Sequence, residues 1–421
     1  MSTLFVNARL LDPASGRDAP GTLLVEGGRI AALDPASPPE DAERIDCAGA
    51  CLCPGLVDMR VGLREPGEEH KESLATLAAC AAAGGVTTLA ALPDTDPPLD
   101  EPALVTFVAR RAASLGLTVL PYGAATKRCE GRELAELGLL REAGAVAFTD
   151  GRRAIAEART MRLALAYAAA FGAFVIQHPE EPSLAAGGAV TEGFQATLLG
   201  LPGIPAAAEA IMVARDIRLA ALTGGHVHFA HVSTAEALDL IRDAKARGVR
   251  VTCDTAPPYF DLNETAIGEW RTYARLSPPL RAEEDRLAVL AALADGTIDA
   301  IASDHQPQDT DAKRLPFAQA EPGGVGLETL LAVTLNAVHA GHLSLLDALG
   351  LLTHRPAALL GVEAGRLTEG APADLCLFDL DRAWQIRADD LVGNSRNTPF
   401  DGRPVQGKVL GTWKAGRRVY G

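Results

Sequence analysis

Aromatic residues make up only 5% of the 421-residue chain, and no apolar run in it approaches the length of a membrane span. The first residues, MSTLFVNARLLDPASG, carry neither a basic segment nor a continuous apolar core, so they do not read as an export signal. No cysteine pair has C-x-x-C spacing, and a chain of this length needs no covalent staples, which predicts reduced thiols and a soluble cytoplasmic protein. Cys47, Cys51 and Cys53 are clustered, but without a histidine at zinc-site spacing they read as small inward-facing strand residues. A basic surplus is also missing. The formal charge of −15 excludes nucleic acid or an anionic membrane as the main partner and disfavours long-range attraction of acidic metabolites.

What is present is aliphatic: 48% hydrophobic and 22% charged residues, the composition of a globular chain with a large core. The first fifty residues read as short strands and turns, with Gly27-Gly28 between two of them. From about Leu52 short apolar runs alternate with Ala- and Leu-rich helical stretches, the signature of repeated βα units. The runs are Cys53–Val61, Thr87–Leu92, Thr118–Tyr122, Ala145–Phe148, Ala173–Gln177, His226–His231, Arg250–Cys253 and Ile298–Ala302, and together they predict a closed α/β barrel, a (β/α)8 TIM barrel. After Gly361 the pattern returns to strands and turns. The expected organisation is a barrel over residues 52–361 and a small composite β-sandwich from residues 1–51 and 362–421.

Reactive groups of such barrels stand at the C-terminal ends of the strands. Here those ends carry Arg60 and Arg64, Asp94, Asp150, His178, His231, and finally Asp304 with His305. Four of these, Asp150, His178, His231 and Asp304, converge from four different strands and form a metal-site pattern, because imidazole and carboxylate ligands must surround one point. His226 and His228, an H-x-H within strand six, precede His231 and read as structural.

The segments PGLVDMRVGLREPG, AAGGVTTLAALPDT, AVAFTDG, HVHFAHVST, SPPLR, ASDHQPQ, GGVGLET and NTPFDG resemble, in order and spacing, the dihydroorotases of the amidohydrolase superfamily. The resemblance implies a barrel of the amidohydrolase type and a reaction in pyrimidine synthesis, in which metal-activated hydroxide attacks the ring amide of dihydroorotate. It implies Asp304 as proton shuttle, His178 and His231 as metal ligands, and Asp150 as a bridging or additional ligand. Arg64 and Asp94 fall where that family holds the substrate carboxylate, with Asp94 replacing an asparagine.

The pattern is also broken. The family's first H-x-H falls on Arg60 and Gly62, and neither supplies a lone pair at neutral pH. Gln308 and Ser277 stand at further altered positions, and none of Lys71, Lys127, Lys245, Lys313, Lys408 and Lys414 follows strand four directly, which speaks against a carboxylated lysine bridge. The expectation is no zinc or one residual zinc on Asp150, His178 and His231, with Arg60 pairing with Asp304 in the vacated space. Three readings follow. The first is a non-catalytic dihydroorotase-like subunit that partners aspartate transcarbamoylase, within a homo-oligomer. The second is an active zinc-dependent dihydroorotase with a reduced metal site, and the third a hydrolase whose substrate changed with Asp94. The polar loop Asp309–Pro322 is suited to a mobile lid.

Overall fold

The computed structural model describes residues 2–421. One sheet takes its strands from both ends of the chain: Ser2–Asp12 pairs with Arg17–Glu26 and with Cys51–Pro54, and Cys51–Pro54 pairs in turn with Leu375–Gln385. Cys53 therefore belongs to this sheet and not to the barrel. The apolar run read as Cys53–Val61 is two strands, broken at Gly55, where an added Cβ would lie 2.3 Å from Thr87 Oγ1. All seven cysteines are free and buried.

The barrel strands are Leu56–Val61, Val86–Ala91, Thr118–Pro121 with Gly123–Ala124, Phe148–Thr149, Val175–Gln177, Val227–Phe229, Val251–Thr255 and Ala300–Ile301. Each pairs in parallel with the next. Closure between strands one and eight uses few bonds: a parallel bridge of Val61 with His305, Gly62 N donating to His305 O at 2.8 Å, and Ser303 N donating to Asp58 Oδ1 at 3.1 Å. The sequence of strand one is buried at every position, as a strand covered on both faces requires.

The crossover helices follow ordinary helix chemistry. In Ala235–Ala246 the buried residues Ala237, Leu238, Ile241 and Ala244 recur at helical spacing, and Thr234 caps the N-terminus by accepting from Ala237 N. That capping residue is itself anchored. Buried Glu209, on the preceding helix, accepts from the backbone N–H and hydroxyl of both Ser233 and Thr234, which fixes the turn just after His231. Among the described residues, no helix is long and apolar enough to cross a membrane.

Candidate functional site at the barrel mouth

His231 and Asp304 both end their strands in the left-handed region, with φ of 41° and 48°. Such backbone is uncommon for side-chain-bearing residues and persists only where surroundings over-determine it. For His231 the restraint is a hydrogen bond from its N–H to Asp254 Oδ1, and Asp254 is held by His228 Nε2 at 3.0 Å. His226 and His228 both meet Thr252 Oγ1, so this H-x-H pair braces the strand, as its position below the strand end implied.

Arg60 lies across the centre of the mouth with 1% of its surface exposed. Its Nε donates to Asp304 Oδ1 at 2.9 Å and its Nη2 to the Gly151 carbonyl at 3.2 Å. The other Asp304 oxygen stands 3.1 Å from His231 Nδ1, and His231 Nε2 stands 2.7 Å from His178 Nδ1. These contacts fix the tautomers. A carboxylate only accepts, so His231 Nδ1 donates to Asp304, its Nε2 accepts, and His178 Nδ1 donates. Both His231 nitrogens are thereby engaged.

Burial would raise the Asp304 pKa, but His231 and Arg60 outweigh it and hold the carboxyl below its ordinary range. Burial, reinforced by Arg60, pulls His231 down to about 4. At the centre an ionised carboxylate carries a neutral imidazole on one oxygen and a guanidinium on the other.

Three sequence expectations are corrected here. Asp150 does not join the histidines. Its oxygens accept from Thr126 N at 2.9 Å, Thr126 Oγ1 at 2.5 Å and Gly131 N at 3.1 Å, which ties it to the loop after strand three. It is absent from the cavity wall, and burial raises its pKa to about 6. Arg64 and Asp94 do not face each other as a carboxylate cradle. Arg64 is spent on the Pro307 carbonyl, Glu68 and Gln306 Oε1, whereas Asp94 pairs with Arg152 at 2.6 Å. The segment after strand eight is not a free lid: Thr310–Arg314 is helical, capped by Asp309, and buried Lys313 donates to the carbonyls of Thr272 and Arg275.

Sequence reasoning missed Gln306. A Cβ on Gly62 would lie 2.5 Å from Gln306 Oε1 and 3.1 Å from its Nε2, so the carboxamide occupies the space that a side chain at 62 would need. Arg152 was also missed, although its place directly after Gly151 was a usable signal.

The zinc implied by the resemblance does not fit this donor set. Arg60 brings positive charge to the metal's place, Gln306 fills the second position, Asp150 is turned away, and His231 has no free lone pair. Among the described residues, the ligand atoms of Glu72, Cys80 and His305 do lie within 4.8 Å of one another. There His305 Nδ1 accepts from Gly326 N and Leu327 N, leaving the proton on Nε2, so this buried cluster also lacks an imidazole lone pair.

Residues 49–237 match the Dihydro-orotase-like family model. A dihydroorotase of Pelobacter propionicus is 44% identical over 422 residues, covering 100% of both chains. The chain belongs to the dihydroorotase-like family. The dihydroorotase of Anaplasma phagocytophilum is 43% identical, covering 99% of this chain and 94% of its own. Among solved structures, the L-hydantoinase (dihydropyrimidinase) of Arthrobacter aurescens superposes with a TM-score of 0.89 at 26% identity, covering 99% of this chain and 96% of that one. The fold of this family member is thus the amidohydrolase barrel with its β-sandwich.

Proposed function

We propose that this member of the dihydroorotase-like family serves pyrimidine biosynthesis without hydrolysing the ring amide on its own. On this reading it acts as a structural or regulatory partner of aspartate transcarbamoylase. The observation that carries the reading is the Arg60 guanidinium bonded to Asp304 in the place where a metal would work. Lowering the pKa of a bound water from 15.7 to about 7 is the metal's contribution to this class of hydrolysis. Nothing in the present donor set substitutes for it. A general base works best with a pKa near the operating pH, and Asp304, held low by two partners, is a weak proton acceptor.

The partner rests on the resemblance alone. A surface of suitable chemistry exists in Phe194, Leu198 and Trp270, which are exposed large apolar side chains, Trp270 Nε1 donating to the Leu199 carbonyl.

A second reading, an active dihydroorotase with a reduced metal site, is supported by the names of relatives matched along their whole length. Turnover of dihydroorotate by the purified chain, with and without added zinc and with and without aspartate transcarbamoylase, separates the two. The first reading expects no turnover by the chain alone and co-elution with the transcarbamoylase. Zinc-dependent turnover by the chain alone would establish the second.

A further inference from the structure

We infer that a groove at the foot of the barrel docks an acidic amphipathic helix of another protein. The groove lies opposite the mouth, so the inference stands whether or not the ring amide is hydrolysed.

The groove has a volume of about 450 Å³. Its floor is the helix Leu74–Ala83, through Ala75, Ala78, Ala79 and Ala82, and Leu115 and Val419 stand on its walls. Val86, which also lines it, opens strand two, and this places the groove at the N-terminal ends of the barrel strands. Reactive groups of such barrels stand at the other end, so an occupant here stays clear of them. The floor helix carries no charged residue along its length, although Ala75 and Ala79 are exposed. A helix face left to water is ordinarily polar or charged, and an uncharged one in a groove suits a covering partner.

The charges select that partner. Among the described residues that line the groove, every charged one is basic: Lys414, Arg417 and Arg418. Lys414 is neutralised by Asp374. Arg417 and Arg418 are exposed at the edge of the sandwich sheet, on the strand Arg417–Tyr420, and neither meets a carboxylate among the described residues. Arg418 stacks on Trp413 with its guanidinium carbon 5.5 Å from the ring centre, which holds the cation in place. Two unpaired guanidinium groups on a chain of net charge −15 reverse the sign locally and favour a partner that carries carboxylates. The same sign excludes a second copy docked groove to groove, because a two-fold contact sets Arg417 and Arg418 against their own images. Shape selects a helix. Helices pack at about 8–10 Å between axes, the distance set by the side chains at the contact, and an alanine floor permits the close end of that range. An aliphatic stripe of the partner then covers the alanines while its Glu or Asp residues reach Arg417 and Arg418.

Fluorescence anisotropy tests this with a labelled peptide of the repeat EAALEAA, about three repeats long so that it is helical, and a control with Gln in place of every Glu. The acidic probe is expected to bind the unmodified chain with a Kd of ~100 μM or tighter, and the Gln control at least about tenfold more weakly. Arg417→Glu combined with Arg418→Glu should weaken binding of the acidic probe at least about tenfold. Ala79→Trp fills the groove from an exposed position with the arginines intact, and should weaken it similarly. Circular dichroism establishes that both variants fold. No binding of the acidic probe at ~1 mM chain, equal binding of the Gln control, or unchanged affinity in either folded variant would each overturn the inference. Sedimentation with phosphatidylserine vesicles without binding of the probe would also overturn it, by making a lipid surface the occupant.

Discussion

Arg60 and Asp304, 244 positions apart in sequence, are joined by a buried hydrogen-bonded ion pair of 2.9 Å between barrel strands one and eight. Removing one partner of such a pair leaves an uncompensated buried charge, at a cost of about 3–5 kcal/mol. Arg60→Met should therefore lower stability to urea by that order. Arg60→Met combined with Asp304→Leu should recover most of the loss, since an apolar replacement of both partners is often neutral. Urea unfolding of the two single variants and the double variant checks this as a cycle.

Gly62 is required by contact with Gln306. Gly62→His alone should destabilise the chain by roughly 1–3 kcal/mol through overpacking. Adding Gln306→Ala should relieve it. The triple variant Arg60→His, Gly62→His, Gln306→Ala frees both positions for imidazole, and zinc content by mass spectrometry should rise from background to about one per chain. A triple variant that folds and stays free of zinc would show that the orientation of Asp150, and not the first strand, limits the site.

Much of this is legible in the amino-acid sequence. All eight apolar runs overlap a barrel strand, the first only from Leu56 onward, and His178, His231 and Asp304 follow the strands that the fifth, sixth and eighth runs mark. Two kinds of information were not legible. Asp150 follows strand four as a metal ligand would, but its direction is decided by Thr126 and Gly131 in another loop. Gln306 gains its meaning only from the cross-strand closure that lays it over Gly62, a contact that no local pattern encodes. Arg152, adjacent to Gly151, claimed Asp94 from Arg64 by proximity in space.

Asp58 accepts from Arg60 N and Ser303 N through Oδ1, while Oδ2 is buried and unpartnered, and burial raises its pKa to about 7. A raised carboxyl pKa means the folded state holds a proton that the unfolded state has lost between about pH 4 and 7. Stability from this group falls across that window as pH rises. Asp58→Asn removes the ionisation, so its melting temperature relative to the unmodified chain should be highest near pH 8 and the advantage should shrink toward pH 4. Differential scanning calorimetry at the two pH values measures it.

Lys313 is pulled down to about 7, first by burial and then by Arg275. Here the unfolded chain holds the extra proton between about pH 7 and 10, so stability from this group rises through that range. Lys313→Met removes the buried cation and leaves the Thr272 and Arg275 carbonyls without that donor. The variant should compare best with the unmodified chain near pH 6 and progressively worse toward pH 9, read as the difference in urea midpoint. A difference independent of pH would show that Lys313 keeps its ordinary ionisation.

The central claim is that Arg60 and Gln306 have replaced a metal at the mouth of the barrel. The most direct measurement is zinc per chain, by mass spectrometry under non-denaturing conditions, after incubation with excess zinc and removal of the unbound ion. The account predicts no bound zinc in the unmodified chain. One zinc per chain that is lost on His178→Ala would contradict it and would mean that the rings of His178 and His231 part to accept a metal beside the Arg60 guanidinium.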